Sequence, residues 1–248
     1  MGTVVSMTVH PGVLGPAAVD RAMAAACDVL HRADRVFSTW TAWSPMSRLR
    51  RGAVRLDQLD DEDAGEIAAV LALCSHAKQL SGGFFDPWAM AGGVDPTGLV
   101  KGWALEQAAA VLDGAGVAAA VVNGGGDVVV HGPGPEEGRW RIGIRHPWRS
   151  GGLACVVAVE HAVATSGGYE RGTHLVDPRT GQRTAGAVAS ASVTGPSLAL
   201  ADALATGLAV GGDEALDVIA GIDGYEGYMI ALDGHEAATT GFPFAPAA

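Results

Sequence analysis

The chain has very little lysine. Of its 16 basic residues, only Lys78 and Lys101 are lysines, and 27 acidic residues bring the formal net charge of the 248-residue chain to −11. A surface that neutralises nucleic-acid phosphates needs clustered basic residues, so no nucleic-acid partner is predicted. Runs of about 18 apolar residues are also absent, and therefore no membrane-spanning segment is predicted.

Cysteine is scarce as well. Cys27, Cys74 and Cys155 are odd in number and lie far apart among apolar residues, which indicates buried thiols rather than a disulfide or a metal site. Residues 1–6 show no basic segment that leads into an apolar core, so no signal peptide is predicted. Both features favour a cytoplasmic protein.

Glycine, in contrast, is abundant. The 36 glycines amount to about twice the usual share, and they follow no collagen-like period. The hydrophobic fraction of 48% and the mean hydropathy of +0.23 exclude a disordered chain. The positions of the glycines, rather than their number, therefore carry the functional information.

The spacing of apolar residues and the turn signals predict an α+β fold. Helices are expected over residues 16–35, 59–80, 99–112, 197–210 and 213–220. Strands are expected over residues 3–10, 117–122, 127–130, 140–144, 153–159 and 225–232. Because these elements lack regular βαβ alternation, we expect one domain over residues 1–241 with mixed, largely antiparallel sheets and packed helices. The Pro- and Ala-rich residues 242–248 are expected to fray.

One helical pair points to a metal site. Asp202 and Thr206 are four residues apart in an apolar stretch, so their oxygen atoms share one helix face. Such oxygens suit Mg²⁺, which completes its shell with phosphate oxygens and water. The alternative is that Asp202 is exposed and the Thr206 hydroxyl bonds back to a helix carbonyl.

Four glycine-rich clusters could meet a ligand. These are residues 82–87, 95–102, 123–127 and 165–169, the last followed by His174. Lys101 near a helix N-terminus suits an anion, and His174 is the natural proton acceptor near its cluster. Each cluster also has a purely structural interpretation: a helix stop, a helix entry, a hairpin loop or a structural histidine.

Taken in order, these clusters resemble motifs of the ApbE family, the FAD:protein FMN transferases. The similar segments are residues 1–3, 38–40 with 44–49, 82–86, 95–102, 123–127, 165–167 with His174 and 177–181, and 201–206. Three positions depart from the family pattern, and one of them is Arg183, which follows Gly181-Gln182 where proline is usual. Trp40 stands where tyrosine is common, which keeps a stacking surface without a phenolic hydroxyl, and Ala205 lacks the acidic or hydroxyl side chain of some members.

The resemblance implies a Mg²⁺-dependent reaction that moves FMN from FAD to a threonine hydroxyl of an acceptor protein and releases AMP. It assigns the proton-accepting role to His174, and catalytic roles to Lys101 and Asp202. The implied metal site comprises Asp202, Thr206, a backbone oxygen at Gly98, and the adjacent Ala205. The implied FAD contacts are Met1, Trp40, Phe84, Phe85, Asp86, Asp95, Lys101, Gly125, Asp127, Thr165, Ser166, Gly167, His174 and Thr184.

Two other functions fit the same motifs. An FAD pyrophosphatase would pass FMN to water and give FMN and AMP, and a non-catalytic FAD-binding protein would do neither. The Asp202/Thr206 pair favours chemistry, because flavin binding alone needs no metal.

Overall fold

The computed structural model describes residues 2–167, 176–183 and 188–246. The helices in this part of the chain are α1 (Pro16–Phe37), α2 (Pro45–Arg50), α3 (Asp61–Leu80), α4 (Thr97–Gly114), α5 (Leu198–Gly211) and α6 (Asp213–Ala220). Short 3₁₀ turns cover Leu56–Gln58 and Pro87–Ala89. The five predicted helices are confirmed to within two residues at each end, whereas α2 was not predicted.

The described strands are β1 (Val5–His10), β2 (Ala119–Gly124), β3 (Asp127–His131), β4 (Trp140–Arg145), β5 (Leu153–Val159), β6 (Ala162–Ser166), β7 (Val176–Asp177), β8 (Gln182–Arg183), β9 (Val188–Gly195), β10 (Glu226–Ala231) and β11 (Glu236–Ala238). Seven of them form one sheet in the order β1-β2-β3-β6-β9-β10-β11, and the pairs β4-β5 and β7-β8 stand apart. The strand pairings are antiparallel, which confirms the predicted α+β class.

Two hydrophobic clusters lie on opposite faces of the large sheet. Along β3, Val129 belongs to the helix-side cluster, whereas Val128 and Val130 belong to a smaller cluster with Ile144 and Val157 of the β4-β5 hairpin. Side chains alternate between faces along a strand, so one valine run serves both clusters. The result is a layer of helices, the sheet, and a hairpin layer.

The helix layer is built around α4, which packs against α1, α5 and β2. The backbones of α4 and α5 approach closely at Gly102, where a Cβ would lie 2.5 Å from the carbonyl oxygen of Leu198. A side chain larger than hydrogen would push the two helices apart. This crossing brings Lys101 of α4 beside Asp202 of α5.

The expectation of a frayed tail is wrong for residues 242–246. Phe242 is buried against Tyr228, with ring centroids 5.4 Å apart. The amide of Ala158 donates to the carbonyl of Pro243 at 2.9 Å, and the amide of Ala245 donates to the carbonyl of Val156 at 2.8 Å. The two phenylalanines of this segment supply apolar area that the composition of the tail obscures, because Pro and Ala dominate it.

Within the described residues, no helix has the length and apolar character needed to cross a bilayer.

Candidate active site

A cavity of about 1050 Å³ opens between the helix layer and one end of the large sheet. It brings together most of the residues that the sequence singled out. Those that line it are Trp40, Phe84, Phe85, Asp86, Asp95, Gly98, Lys101, Gly125, Thr165, Ser166, Gly167, Asp202 and Thr206. Six sequence segments from separate parts of the chain therefore converge on one site.

The polar floor of the cavity consists of Lys101, Asp127, Asp202, Thr206 and Ser166. Lys101 Nζ lies 2.6 Å from Asp127 Oδ2 and 3.7 Å from Asp202 Oδ1. The remaining Asp127 oxygen accepts a 2.9 Å hydrogen bond from the Thr165 amide. Asp127 is completely buried beneath the lining residues, so its charge is balanced inside the protein by the lysine.

Asp202 is buried rather than exposed, which excludes the structural alternative for this residue. Its Oδ2 accepts a 3.1 Å hydrogen bond from the Gly102 amide of α4. Burial raises the pKa of Asp202 to about 7, although Lys101 favours the ionised form; the nearby Asp127 adds to the rise. A further cation close to this carboxyl group would stabilise its ionised form.

The residues around Asp202 fit a magnesium ion that is shared with a ligand. Thr206 Oγ1 lies 3.3 Å from Ser166 Oγ, and a Cβ placed on Gly98 would lie 3.5 Å from Thr206 Oγ1. The Asp202 carboxylate, the two hydroxyls and the backbone at Gly98 thus line the same cavity. Among the described residues, no three His, Cys, Asp or Glu side chains form a metal cluster. Mg²⁺ needs only one or two carboxylates when phosphate oxygens and waters complete its shell.

The glycine-rich loop between β2 and β3 is a tight hairpin that also lines the cavity. Gly125 and Gly126 have φ values of 63° and 98°, and the Gly126 amide donates to Asn123 Oδ1 at 3.0 Å. The hairpin interpretation is therefore confirmed, and the ligand-loop interpretation stays a prediction. Backbone without side chains borders the cavity at this point.

The two predicted acids at the cavity mouth are held by cations of the same chain. Asp86 forms a 2.6 Å ion pair with Lys78, and Asp95 forms a 2.8 Å ion pair with Arg50. Asp95 also accepts hydrogen bonds from the amide and the hydroxyl of Thr97 at the start of α4. Both lysines of the chain thus lie at this site.

Two of the described implied residues do not line the cavity: Asp127 lies beneath its lining, and Ala205 lies in the core. Ala205 is fully buried in the hydrophobic core and offers no side-chain donor. Met1, His174 and Thr184 lie outside the described residues.

Two residues near the site carried no recognisable sequence signal. Arg145 lines the cavity from the end of β4. Glu106 of α4 accepts a hydrogen bond from the Leu198 amide at the N-terminus of α5, and burial raises the pKa of its carboxyl. The place of Glu106 within a helix was predictable, but its contact with a helix 92 residues away was not.

An antiparallel α+β fold, with a partly buried lysine and paired oxygen donors at the floor of an aromatic-lined cavity, is suited to a phosphorylated aromatic ligand. The chain belongs to the ApbE family, whose sequence model matches residues 1–92 and 88–229.

Relatives with assigned names agree with the family. The chain is 42% identical over 126 residues to an FAD:protein FMN transferase of Rhodobacter capsulatus, a match that covers 46% of this chain and 23% of that protein. It is 30% identical over 151 residues to an FAD:protein FMN transferase of Klebsiella pneumoniae, covering 57% and 43% of the two chains. The matches thus span less than half the length of these relatives.

Solved structures agree with the fold. The flavin transferase ApbE of Vibrio cholerae superposes with a TM-score of 0.77 at 20% identity, covering 98% of this chain and 95% of that one. The ApbE protein of Thermotoga maritima gives a TM-score of 0.77 at 21% identity, with 97% and 94% covered.

Proposed function

We propose that the protein transfers the FMN part of FAD to a threonine hydroxyl of an acceptor protein, in a Mg²⁺-dependent reaction that releases AMP. The observation that carries this proposal is the polar floor. A partly buried lysine and a buried aspartate with a raised pKa lie at the floor of a cavity with aromatic and glycine-rich walls. The names of the relatives, FAD:protein FMN transferases, support the same reaction.

The reaction exchanges the phosphoanhydride bond of FAD for a phosphoester bond to threonine. The threonine oxygen forms a bond to the phosphorus of the FMN half, the bond from that phosphorus to the AMP oxygen breaks, and the threonine proton passes to a base. The predicted base is His174. Lys101 lies where it can stabilise charge that develops on the pyrophosphate oxygens, because its ammonium group is fixed at the floor by Asp127.

Asp202, Thr206 and Ser166 would hold the metal, with the backbone at Gly98 beside them. A bound magnesium ion supplies Lewis-acid stabilisation of the phosphate charge. Asp202 is oriented for this role by the Gly102 amide, which engages one carboxylate oxygen. Lys101 is held by its ion pair with Asp127, so its position would not depend on Asp202 if that carboxylate bound the metal.

Incubation with FAD, Mg²⁺ and candidate acceptor proteins distinguishes the three candidate functions. Transfer gives AMP together with a fluorescent acceptor band in a denaturing gel. Hydrolysis gives AMP and free FMN, and simple binding gives neither product. The proposal requires transfer, and the appearance of free FMN without a labelled acceptor would establish the pyrophosphatase instead.

The role of His174 has its own test. The His174→Ala variant should retain FAD binding and lose transfer, because the threonine loses its proton acceptor. A wild-type transfer rate in this variant would place the base elsewhere. The His235→Ala variant is a matched control, since His235 lies in the turn before β11 and does not line the cavity.

A further inference from the structure

Three tryptophan side chains at or near the cavity are exposed to solvent. Trp40 and Trp43 are 95% and 81% exposed, and Trp88 is 45% exposed. Trp40 lines the cavity, Trp43 lies on the same loop, and Trp88 follows the lining residues Asp86 and Pro87. We call Trp40, Trp43 and Trp88 the aromatic rim.

The loop that carries Trp40 and Trp43 is fixed by hydrogen bonds to the rest of the protein. The carbonyl of Ser38 accepts hydrogen bonds from the hydroxyls of Ser44 and Ser47, the second at 2.9 Å. Arg51 Nη2 donates to the carbonyl of Ala42 at 2.7 Å. Ser44 and Ser47 are buried. Because hydrogen bonds already fix this loop, a partner that binds the two indole rings would cause little further loss of conformational entropy.

The size of the exposed apolar surface fits a protein partner. A tryptophan ring offers roughly 150–250 Å² for burial. Because FAD is expected to stack on Trp40, the free apolar area is that of Trp43 and Trp88, which are 81% and 45% exposed and together offer about 200–300 Å². An apolar patch of that size on a monomer is often a binding site. Tryptophan is also among the residues that dominate the energy of protein–protein contacts.

The charge beside the rim is opposite to that of the whole protein. Residues 38–55 contain four arginines and no acid, although the chain carries a net charge of −11. Arg50 and Arg55 pair with Asp95 and Asp57. Arg48 and Arg51 are exposed and form no ion pair with a carboxylate of the described residues. A partner that covers the rim therefore gains from being acidic.

We infer that the aromatic rim, with Arg48 and Arg51, is the docking surface for the threonine-bearing segment of the acceptor protein, and that this segment is acidic and carries apolar side chains. The inference rests on the proposed function, because the acceptor hydroxyl must enter the cavity that Trp40 lines. A membrane or a second copy on this surface would cover the mouth through which the acceptor must pass.

A peptide library tests the inference without requiring the natural acceptor. The probe is a displayed library of random 12-residue peptides with a fixed central threonine, selected on the FAD-loaded protein. Wild-type protein should enrich peptides that combine Asp or Glu with large apolar residues. The best peptide, labelled for fluorescence anisotropy, should bind more weakly as NaCl rises, because exposed charges are screened. Enriched peptides without an acidic excess would overturn the inference.

Variants assign the binding to the rim. Trp43→Ser and Arg48→Gln should each weaken peptide binding by about five- to tenfold, while FAD binding stays unchanged. The control is Leu232→Ser, since Leu232 is 57% exposed and does not line the cavity. Peptide affinities within twofold of wild type in both rim variants would overturn the inference. So would self-association, or sedimentation with phosphatidylserine/phosphatidylcholine vesicles, that Trp43→Ser abolishes.

A transfer assay separates this inference from the proposed function. If the selected peptide binds at the rim but no flavin passes to it or to any acceptor, the transfer function fails and the docking surface stands. If flavin is transferred at the wild-type rate by both rim variants at limiting peptide, the transfer function stands and the docking surface fails.

Discussion

The floor and the rim of the cavity break the usual rule of residue placement in opposite ways. At the floor, the charges of Asp127 and Asp202 are buried. At the rim, the rings of Trp40 and Trp43 stand in water. Soluble proteins normally bury apolar rings and expose charges, so each arrangement costs folding free energy. Two opposite violations around one cavity indicate that function, and not stability, selected both.

The chain offsets the two costs by different means. The floor is stabilised by a short ion pair between Lys101 and Asp127 and by backbone amides that donate to the carboxylates. The rim is held by buried serine hydroxyls that fix the loop on α2. Floor residues should therefore govern the chemical step, and rim residues should govern acceptor affinity.

The largest expected effect is on the chemical step, in the Asp202→Asn variant. The amide cannot supply the negative charge that holds Mg²⁺, so we expect kcat for AMP release to fall by at least about 100-fold. The folded state should not weaken, because an isosteric neutral group removes the cost of burying a charge. Enzyme assays and thermal denaturation of the same preparations measure both properties.

The matched control for Asp202→Asn is Asp217→Asn, an exposed carboxylate on α6. Retention of Mg²⁺-dependent activity by Asp202→Asn would remove Asp202 from the metal site. A similar loss in Asp217→Asn would show that the effect is not specific to the floor.

The two lysines give the sharpest comparison between buried and exposed electrostatics. Each forms a 2.6 Å ion pair with an aspartate, Lys101 with Asp127 at the floor and Lys78 with Asp86 at the mouth. Lys101→Met leaves buried carboxylates without their cation, and we expect a loss of about 3–5 kcal/mol in the free energy of unfolding. Lys78→Met should cost less than about 1 kcal/mol, because the Lys78 side chain is 44% exposed and solvent screens the pair.

Urea denaturation of the Lys101→Met and Lys78→Met variants measures this contrast. Equal losses in the two variants would mean that the floor is solvated in solution, and that its charges are not isolated as the geometry indicates.

The sequence predicted local features of the floor better than it predicted long-range ones. The Asp202/Thr206 pair was predictable because a single helix fixes the spacing of its side chains. Strands β6 and β9 were not predicted, although they lie in the middle of the sheet. The residues of β9 alternate between small apolar and hydroxyl side chains, so a weak apolar signal hides a strand that is buried along nearly its whole length.

The remaining features depend on contacts between distant segments. The pairing of Lys101 with Asp127 needs α4 and β3 to meet, and the burial of Phe242 needs the tail to meet β5. No spacing along one segment carries this information. Glu106 is the same kind of case, since its partner amide belongs to another helix.

The helix crossing above the floor gives a smaller effect. A Cβ at Gly102 would lie 2.5 Å from the Leu198 carbonyl oxygen, which is backbone and cannot move aside cheaply. Gly102→Ala should therefore reduce the free energy of unfolding by about 1–3 kcal/mol and raise KM for FAD, because α5 shifts relative to Lys101. Gly114→Ala is the control: it lies at the end of α4 with nothing within 4 Å, and should be neutral or slightly stabilising. Equal behaviour of the two variants would mean that the helices separate without cost.

The last expected effect is the pH dependence of stability that Asp202 of the floor contributes. Asp202, facing Lys101 and Asp127, has a pKa raised to about 7 from its ordinary 3.8, so the folded protein binds this proton more tightly than the unfolded chain does. The contribution to stability is therefore full below about pH 4 and is lost as pH rises through 7, at no more than about 1.4 kcal/mol per pH unit. In EDTA, the free energy of unfolding of wild type relative to Asp202→Asn should fall between pH 4.5 and 7.5. A difference that stays constant across this range would show that Asp202 is ionised throughout. In that case the Lys101 ammonium group alone would keep the Asp202 carboxylate ionised, without a bound metal ion.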